Sequence, residues 1–255
     1  MKNEATGIRL YVETPLAAGA SVGLRRDQAH YLRSVMRLEA GSALALFNGR
    51  DGEWRGRLDG LGKGWASVAL ETLTRAQTPE PDLWLVFAPI KRARIDFVAQ
   101  KATELGVSAL WPVFTRHTAV ERVNAERLAA NAVEAAEQCE RLTVPEVKEP
   151  VSLDAALAAW PESRRILLCD ETGAAPIARA LADARAKSAD PGPWAVLVGP
   201  EGGFAPDELD RLRKLPIVTA VGLGPRALRA DTAALAALAC WQALMGDWHR
   251  ARGAR

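Results

Sequence analysis

Two stretches of this sequence set charged side chains among glycines in a way that could hold and use a ligand. The first reads Val198-Gly199-Pro200-Glu201-Gly202-Gly203. The second runs from Gly222-Leu223-Gly224-Pro225-Arg226 to Leu228-Arg229-Ala230-Asp231-Thr232. Each follows a β-branched apolar run, at 196–198 and 218–221, and each passes into a helical pattern. Glycine at a strand's end tolerates positive φ and lets a ligand come close to the backbone, so a Cβ at Gly202 is expected to collide with a ligand or forbid the backbone angle. The helix behind such a loop supplies unpaired N–H groups and a positive dipole end. Loops of this kind at the carboxyl ends of neighbouring strands form the ligand crevice of an open α/β sheet. Glu201, Arg226, Arg229 and Asp231 are the polar groups available there.

Two familiar templates fail. A phosphate-binding P-loop closes on Gly-Lys-Ser or Gly-Lys-Thr, and after Gly199 no lysine occurs until Lys214. Gly222, Gly224 and Ala227 nearly spell a dinucleotide fingerprint, but Pro225 interrupts it. The helical pattern from about Asp231 is followed by no further strand pattern that would complete a βαβ unit.

The elements that must position these loops fall into two textures. From 83 onward, apolar strand-like runs at 83–88, 109–113, 166–169, 194–198 and 217–221 alternate with helical patterns. Their near-continuous apolarity suits a parallel sheet covered on both faces. One helix is expected over 93–105, ended by Gly106 and preceded by Lys91, Arg92 and Arg94. Cations at a helix start oppose its dipole, so local helix stability does not explain them; a phosphate partner would, and a merely solvated loop is the alternative. A second helix is expected over 124–141, burying Leu128, Ala132, Ala135, Ala136 and Cys139. The last helix, 231–245, is apolar nearly all round and needs cover on more than one side, which a symmetric second copy would supply.

Before residue 75 the signals are those of a small β-rich domain, with strands at 44–47, 53–58 and 65–70 and glycine-rich turns at 48–52 and 60–64. A helix is expected over 27–37, capped by Asp27, with Leu32, Val35 and Met36 inward. Arg25, Arg26, Arg33 and Arg37 cluster there; taken alone, they read as a solvated face. The proline-bounded stretch 75–81 reads as a linker. Domains 1–74 and 75–255 are therefore expected.

Composition narrows the class. In 255 residues, 33 Lys and Arg against 31 Asp and Glu leave a net charge of +2, so no global basic field advertises nucleic acid. Cys139, Cys169 and Cys240 are far apart in apolar segments, which suits core residues in a reducing compartment. His30, His117 and His249 are scattered, and no metal site is expected. The start of the chain lacks a signal peptide's apolar core, and the apolar run 233–245 is too short to span a membrane. A soluble cytoplasmic protein with no membrane partner is expected.

The wording of the two loops, LVGPEGGF at 197–204 and LGPRALRADTAAL at 223–235, resembles the cofactor loops of the SPOUT, or trefoil-knotted, methyltransferases. In particular it is similar to the bacterial family that methylates N3 of a uridine in small-subunit ribosomal RNA, ribosomal RNA small subunit methyltransferase E. Asp231 stands where that family usually has Glu. PIKRARIDFVAQKATELGV at 89–107, EAAEQCER at 134–141 and HYLRSVMRLEAGSALALFNG at 30–49 extend the likeness over nearly the whole chain. The resemblance implies a PUA-like RNA-binding β-barrel followed by an α/β methyltransferase domain with a C-terminal trefoil knot and a parallel sheet, acting as a homodimer.

It further implies S-adenosylmethionine as cofactor, held by Leu197, Val198, Gly199, Pro200, Glu201, Gly202, Gly203, Leu223, Gly224, Pro225, Leu228, Arg229 and Thr232. Arg229 and Glu201 would be the catalytic pair, Arg229 facing uracil charge and Glu201 holding the loop or cofactor. Arg25, Arg26, Arg33, Arg37, Lys91, Arg92, Arg94 and Arg116 would contact 16S rRNA of the small ribosomal subunit. Methylation of another RNA position, such as a ribose 2′-hydroxyl, and a non-catalytic role in ribosome assembly remain open alternatives.

Overall fold

The computed structural model describes residues 7–188 and 190–249, apart from the side chains of Arg92 and Ala93. The chain divides into two compact units, one of residues up to 79 together with 136–144, the other of 80–135 and 145 onward.

The first unit is a five-stranded sheet in the order β1-β3-β4-β5-β2. Its strands are β1 (Arg9–Tyr11), β2 (Ser21–Leu24), β3 (Ala43–Phe47), β4 (Glu53–Gly62) and β5 (Trp65–Arg75). β1 runs parallel to β3 and the other pairs are antiparallel. Alternate residues of these strands, among them Val22, Leu44, Leu46, Leu58 and Val68, fill its core with Leu32. β4 and β5 are longer than their apolar cores suggest, so the second turn shrinks from 60–64 to Lys63-Gly64.

The expected helix over 27–37 is not one regular helix. α1 (Arg26–His30) is capped by the backbone of Arg25 rather than by Asp27, and it widens into a π-helical turn, Tyr31–Val35. Widening changes which side chains point inward. Leu32 is fully buried, but Val35 is 62% and Met36 38% exposed, against expectation.

The expected boundary at 74/75 also differs from the observed one. β5 continues through Arg75, the division falls after Pro79, and a later segment joins the first unit. That segment is the last turn of α3 (Ala125–Cys139) and the residues after it. Arg9 explains why. Its guanidinium pairs with Glu53 at 2.5 Å and donates to the carbonyls of Ala136, Glu137 and Arg141 at 3.0, 2.9 and 2.9 Å. A cation on the orphan carbonyls of a helix's last turn is favourable both as a cap and toward the dipole. The same guanidinium lies 4.4 Å from the ring centroid of buried Phe47, which packs with Ala136 and Leu142. In return Glu137 accepts the amide of Tyr11 at 2.8 Å.

The second unit is built on a larger sheet of β6 (Leu83–Phe87), β7 (Ala109–Phe114), β8 (Glu146–Val147), β9 (Val151–Ser152), β10 (Arg165–Cys169), β11 (Ala175–Pro176), β12 (Trp194–Val198) and β13 (Val218–Gly222). The order is β11-β13-β10-β12-β6-β7-β8, with β9 also on β7, and every pairing is parallel. The helices are α2 (Arg92–Glu104), α3, α4 (Leu153–Ala158), α5 (Ile177–Lys187), α6 (Pro206–Arg213) and α7 (Ala230–Leu244). β12 is buried at every position, as a central parallel strand should be. α7 packs on α2, α5, β12 and β6. Among the described residues no helix is long and apolar enough to cross a membrane, and no group of His, Cys, Asp and Glu could hold a metal ion.

The Arg9 cluster yields a test. Arg9→Met should destabilise the protein by about 3 kcal/mol, because Glu53 is left buried with more distant partners, Arg75 at 3.6 Å and the Thr74 hydroxyl at 3.3 Å, and three carbonyls lose their donor. Urea unfolding should show the lowered midpoint, and adding Glu53→Gln to Arg9→Met should recover part of it. An unchanged midpoint would mean that the cluster contributes nothing.

Candidate functional site

Because all strands of the larger sheet run the same way, their carboxyl ends share one edge. Five connections meet there: after β6 (88–91), β7 (115–124), β10 (170–174), β12 (199–205) and β13 (223–229). The two glycine loops do not follow neighbouring strands, as expected from sequence. β10 lies between β12 and β13, pairing with both, because a crossover strand enters the sheet before either of them. Its loop, Asp170-Glu171-Thr172-Gly173-Ala174, therefore belongs to the same edge and was missed. The signal was present: an apolar run at 166–169 stopping at acidic residues and a glycine.

The glycines do different work. Gly199 has ordinary φ, but a Cβ there would stand 2.8 Å from the Phe204 ring, so its bareness makes room for a side chain of the same loop. Gly203 (φ +70°) and Gly224 (φ +100°) adopt the left-handed backbone that favours glycine. Gly202 does not. A Cβ at Gly202 would meet only His117 Cβ at 3.6 Å, so the expected backbone prohibition is absent and only a ligand could object. A Cβ at Gly224 would point into open space.

The β13 loop is a run of backbone donors without acceptors. Among the described residues, the N–H groups of Gly224, Arg226, Ala227 and Leu228 make no hydrogen bond within the chain. The loop leads into α7, whose first turn is capped by no side chain of Arg229 and whose Asp231 accepts the amide of Thr232 at 2.8 Å. Leu223 and Leu228 are half-buried beside it, while Gly224, Pro225, Arg226, Arg229 and Thr232 are exposed. On the other loop, Leu197, Val198 and Pro200 are buried and Glu201 and Gly202 exposed. Unsatisfied donors, bare glycines and apolar walls suit a ligand with a polar edge and an apolar body.

One side chain ties the loops together. Arg94, in the first turn of α2, donates to Glu201 at 2.6 Å and lies 3.9 Å from Asp231. So half-exposed a pair adds at most about 1 kcal/mol of stability, and its value is geometric. It also accounts for one of the cations at the α2 start without any phosphate. Lys91 is exposed, and the side chain of Arg92 lies outside the described residues. Arg116 is likewise engaged, holding both oxygens of Asp207 at 2.6 and 2.7 Å. Its amide donates to buried Glu208, which also accepts from the amide of Ala205 ahead of α6. His117 Nδ1 lies 3.2 Å from the Gly203 carbonyl.

The remaining basic candidates lie in the first unit. Arg25 pairs with Asp27, Arg26 lies beside Gly64, Arg33 lines a cleft with Lys63, and Arg37 is exposed with φ +54°. Cys169 is not a nucleophile: burial, with Cys240 nearby, pushes its thiol up to about 12.

Asp170 anchors the third loop. Burial raises its carboxyl, but the Thr172 amide (2.9 Å) and hydroxyl (2.8 Å) and the Arg213 guanidinium (2.8 and 2.5 Å) outweigh this and hold it below its ordinary value.

Comparisons with known proteins cover both units. Residues 77–242 match the family described as the RNA methyltransferase domain, and residues 24–70 the RNA methyltransferase PUA domain. The ribosomal RNA small subunit methyltransferase E of Rickettsia conorii is 32% identical over 238 residues, covering 91% of this chain and 93% of that one. The protein of the same name from Synechocystis is 31% identical, covering 93% and 78%. Among solved structures, the Neisseria gonorrhoeae ribosomal RNA small subunit methyltransferase E bound to S-adenosyl methionine superposes with a TM-score of 0.83 at 29% identity, covering 94% and 99%. A Legionella pneumophila putative methyltransferase in complex with the same cofactor gives 0.84 at 28%, covering 94% and 98%.

Asp170 makes the site's acid sensitivity testable. A carboxylate whose folded value is lowered stabilises the protein above its unfolded value, near 3.8, and loses that contribution as pH falls through the folded value. Asp170→Asn should therefore be less stable than wild type at pH 7 and show a shallower loss of stability below about pH 4. Denaturation midpoints along a pH series would show it, and parallel curves for the two proteins would exclude it.

Proposed function

Because the chain belongs to the ribosomal RNA small subunit methyltransferase E family, we propose that it transfers a methyl group from S-adenosylmethionine to N3 of a uridine in 16S rRNA of the small ribosomal subunit. The observation that carries this reading is the pair of open glycine loops at one sheet edge, with the free N–H groups of Gly224 to Leu228 beside them. These fit the cofactor: backbone donors suit its adenine and methionine polar edges, and Leu197, Val198, Leu223 and Leu228 suit its apolar body. When bound, the cofactor supplies an already activated sulfonium methyl.

The protein's own part is alignment and charge. Uridine N3 lies in the Watson–Crick edge, so the base must be unpaired or flipped out to be reached. Its N–H must lose a proton while negative charge gathers on the flanking oxygens. Arg229 stands at the head of α7, exposed and without a partner among the described side chains, which suits it to face that charge. Glu201 is committed to Arg94, so it holds the loop rather than acting as base. The polypeptide beyond β13 returns across β10 to pack α7 on β12 and β6, the kind of threading a trefoil knot requires, and the knot is part of this proposal. Arg26, Arg33, Arg37, Lys91 and Arg92 are assigned to rRNA phosphates, and Arg25, Arg94 and Arg116 only where RNA displaces their carboxylate partners. Work on rRNA puts the protein in the cytoplasm.

A homodimer completes the proposal. Phe97 on α2 and Leu244 on α7 are 45% and 40% exposed, on two helices packed against each other, and a second copy would cover them. Light scattering should report twice 27.5 kDa; a fully active monomer would end the idea.

The central test uses rRNA from a strain lacking the modification, offered as naked RNA and as small subunits. Mass spectrometry of the digested product should find 3-methyluridine, whereas a ribose-methylated nucleoside or no product would refute the assignment. Gly202→Val should fold, since only His117 stands near, yet lose cofactor affinity by more than about tenfold, measured calorimetrically. Undiminished affinity would move the cofactor elsewhere.

A further inference from the structure

The β4–β5 hairpin of the first unit carries an exposed aromatic side chain laid on bare backbone. Trp65 opens β5 opposite Gly62 and is 55% exposed. A Cβ on Gly62 would stand 2.0 Å from the indole nitrogen, and one on Gly60 would stand 2.5 Å from the six-membered ring. The indole therefore lies along two consecutive same-face positions of β4, and it can do so only because both are bare. Neither glycine has positive φ, so backbone conformation does not require them. What requires them is the ring. The β4 side of the indole is taken up by the strand, and more than half of the side chain is left to solvent.

Beside Gly60, Ser67 donates to the Asp59 carboxylate, but the hairpin tip next to the indole is cationic. Gly62 and Gly64 border a cleft of about 520 Å³ whose other walls are His30, Arg33, Ser34 and Lys63. Across Gly64 lies the Arg26 side chain, at 3.5 Å from where its Cβ would be. Among the described residues no acidic side chain lines this cleft. An immobilised aromatic face beside basic side chains is the combination that binds single-stranded nucleic acid, the ring stacking on a base and the cations meeting the backbone.

We propose that Trp65 is a stacking platform for one unpaired base of the RNA substrate, with Arg33 and Lys63 holding the adjoining phosphates. The site rests on the rRNA reading above and deepens it. Stacking is indifferent to which base is presented, so Trp65 adds affinity and register for an unpaired segment without reading sequence. Duplex RNA, whose bases are already stacked, gains nothing from it.

Stacking and phosphate contact leave different signatures in salt. The wild-type protein and its variants are titrated, at several salt concentrations, into a short fluorescein-labelled single-stranded RNA of mixed sequence and into the same strand as a duplex. Trp65→Ala should weaken single-strand binding by roughly 5- to 150-fold at every salt concentration, leaving the salt slope and the cofactor affinity unchanged. Trp65→Phe should recover most of the loss. Gly62→Ala, which keeps the indole but lifts it from β4, should behave like Trp65→Ala and guards against a folding artefact. The double variant Arg33→Ala/Lys63→Ala should instead flatten the slope by roughly one to two units.

Equal single-strand affinity for wild type and Trp65→Ala, with methylation intact, sinks the platform and leaves the enzyme. A loss confined to assembled subunits, with free RNA bound normally, also sinks it, because Trp65 would then touch ribosomal protein. If Trp65→Ala weakens RNA binding as described but the wild type makes no 3-methyluridine, the platform stands and the proposed reaction falls.

Discussion

A sheet whose strands all run in one direction cannot distribute its loops. Each long crossover between its parallel strands leaves from one edge and returns to the other, and the short β10–β11 connection stays at the carboxyl edge, so five loops with little in common in sequence are delivered to a single rim. Everything proposed for catalysis follows from that constraint. Glu201, Asp170 and Arg229 come from three separate loops, delivered to the same rim because β10 sits between β12 and β13. Arg94 then works on loops already gathered. Its contacts with Glu201 and Asp231 set the spacing of segments that the sheet has brought within reach.

Charge on this rim is mostly neutralised from within. Arg94, Arg116 and Arg213 each face a carboxylate on a different element, so two of the cations that look available in the sequence, Arg94 and Arg116, are spoken for in the fold. Arg229 is the contrast, exposed at the head of α7 where the backbone donors begin. A net charge of +2 is consistent with this economy, since a protein that pairs its cations internally shows little excess. Any affinity for a polyanion must then come from small local groups rather than from a broad field.

Much of the second unit was legible in the sequence. Its five expected strands lie within a residue or so of their expected bounds, because buried parallel strands need near-continuous apolar runs, whereas the two-residue strands β8, β9 and β11 carry no such run and were not foreseen. The loops were legible for the same reason, as places where such runs stop. What escaped was set by long-range packing. β10's loop carries one glycine and gave no motif, and its membership of the rim depends on strand order alone. The π-turn at 31–35 could not be foreseen from a pattern that suits a regular helix, and with it went Val35 and Met36. The glycines also conceal their reasons. Gly199, Gly60 and Gly62 look like turn residues in sequence, and each is in fact space for a ring.

The segment 136–144 has a consequence for the order in which the protein can be made. Residues up to 79 leave the ribosome first, yet the carbonyls that Arg9 caps lie 127 to 132 positions later, as does the Glu137 carboxylate that accepts from Tyr11. Until those residues emerge, Arg9 has Glu53 but no helix end, and Phe47 lacks the apolar cover of Ala136 and Leu142. The small unit therefore reaches its final form only after more than half of the polypeptide has been synthesised. Its boundary is a timing device as much as a spatial one: the first domain to begin is held incomplete until the second is well under way.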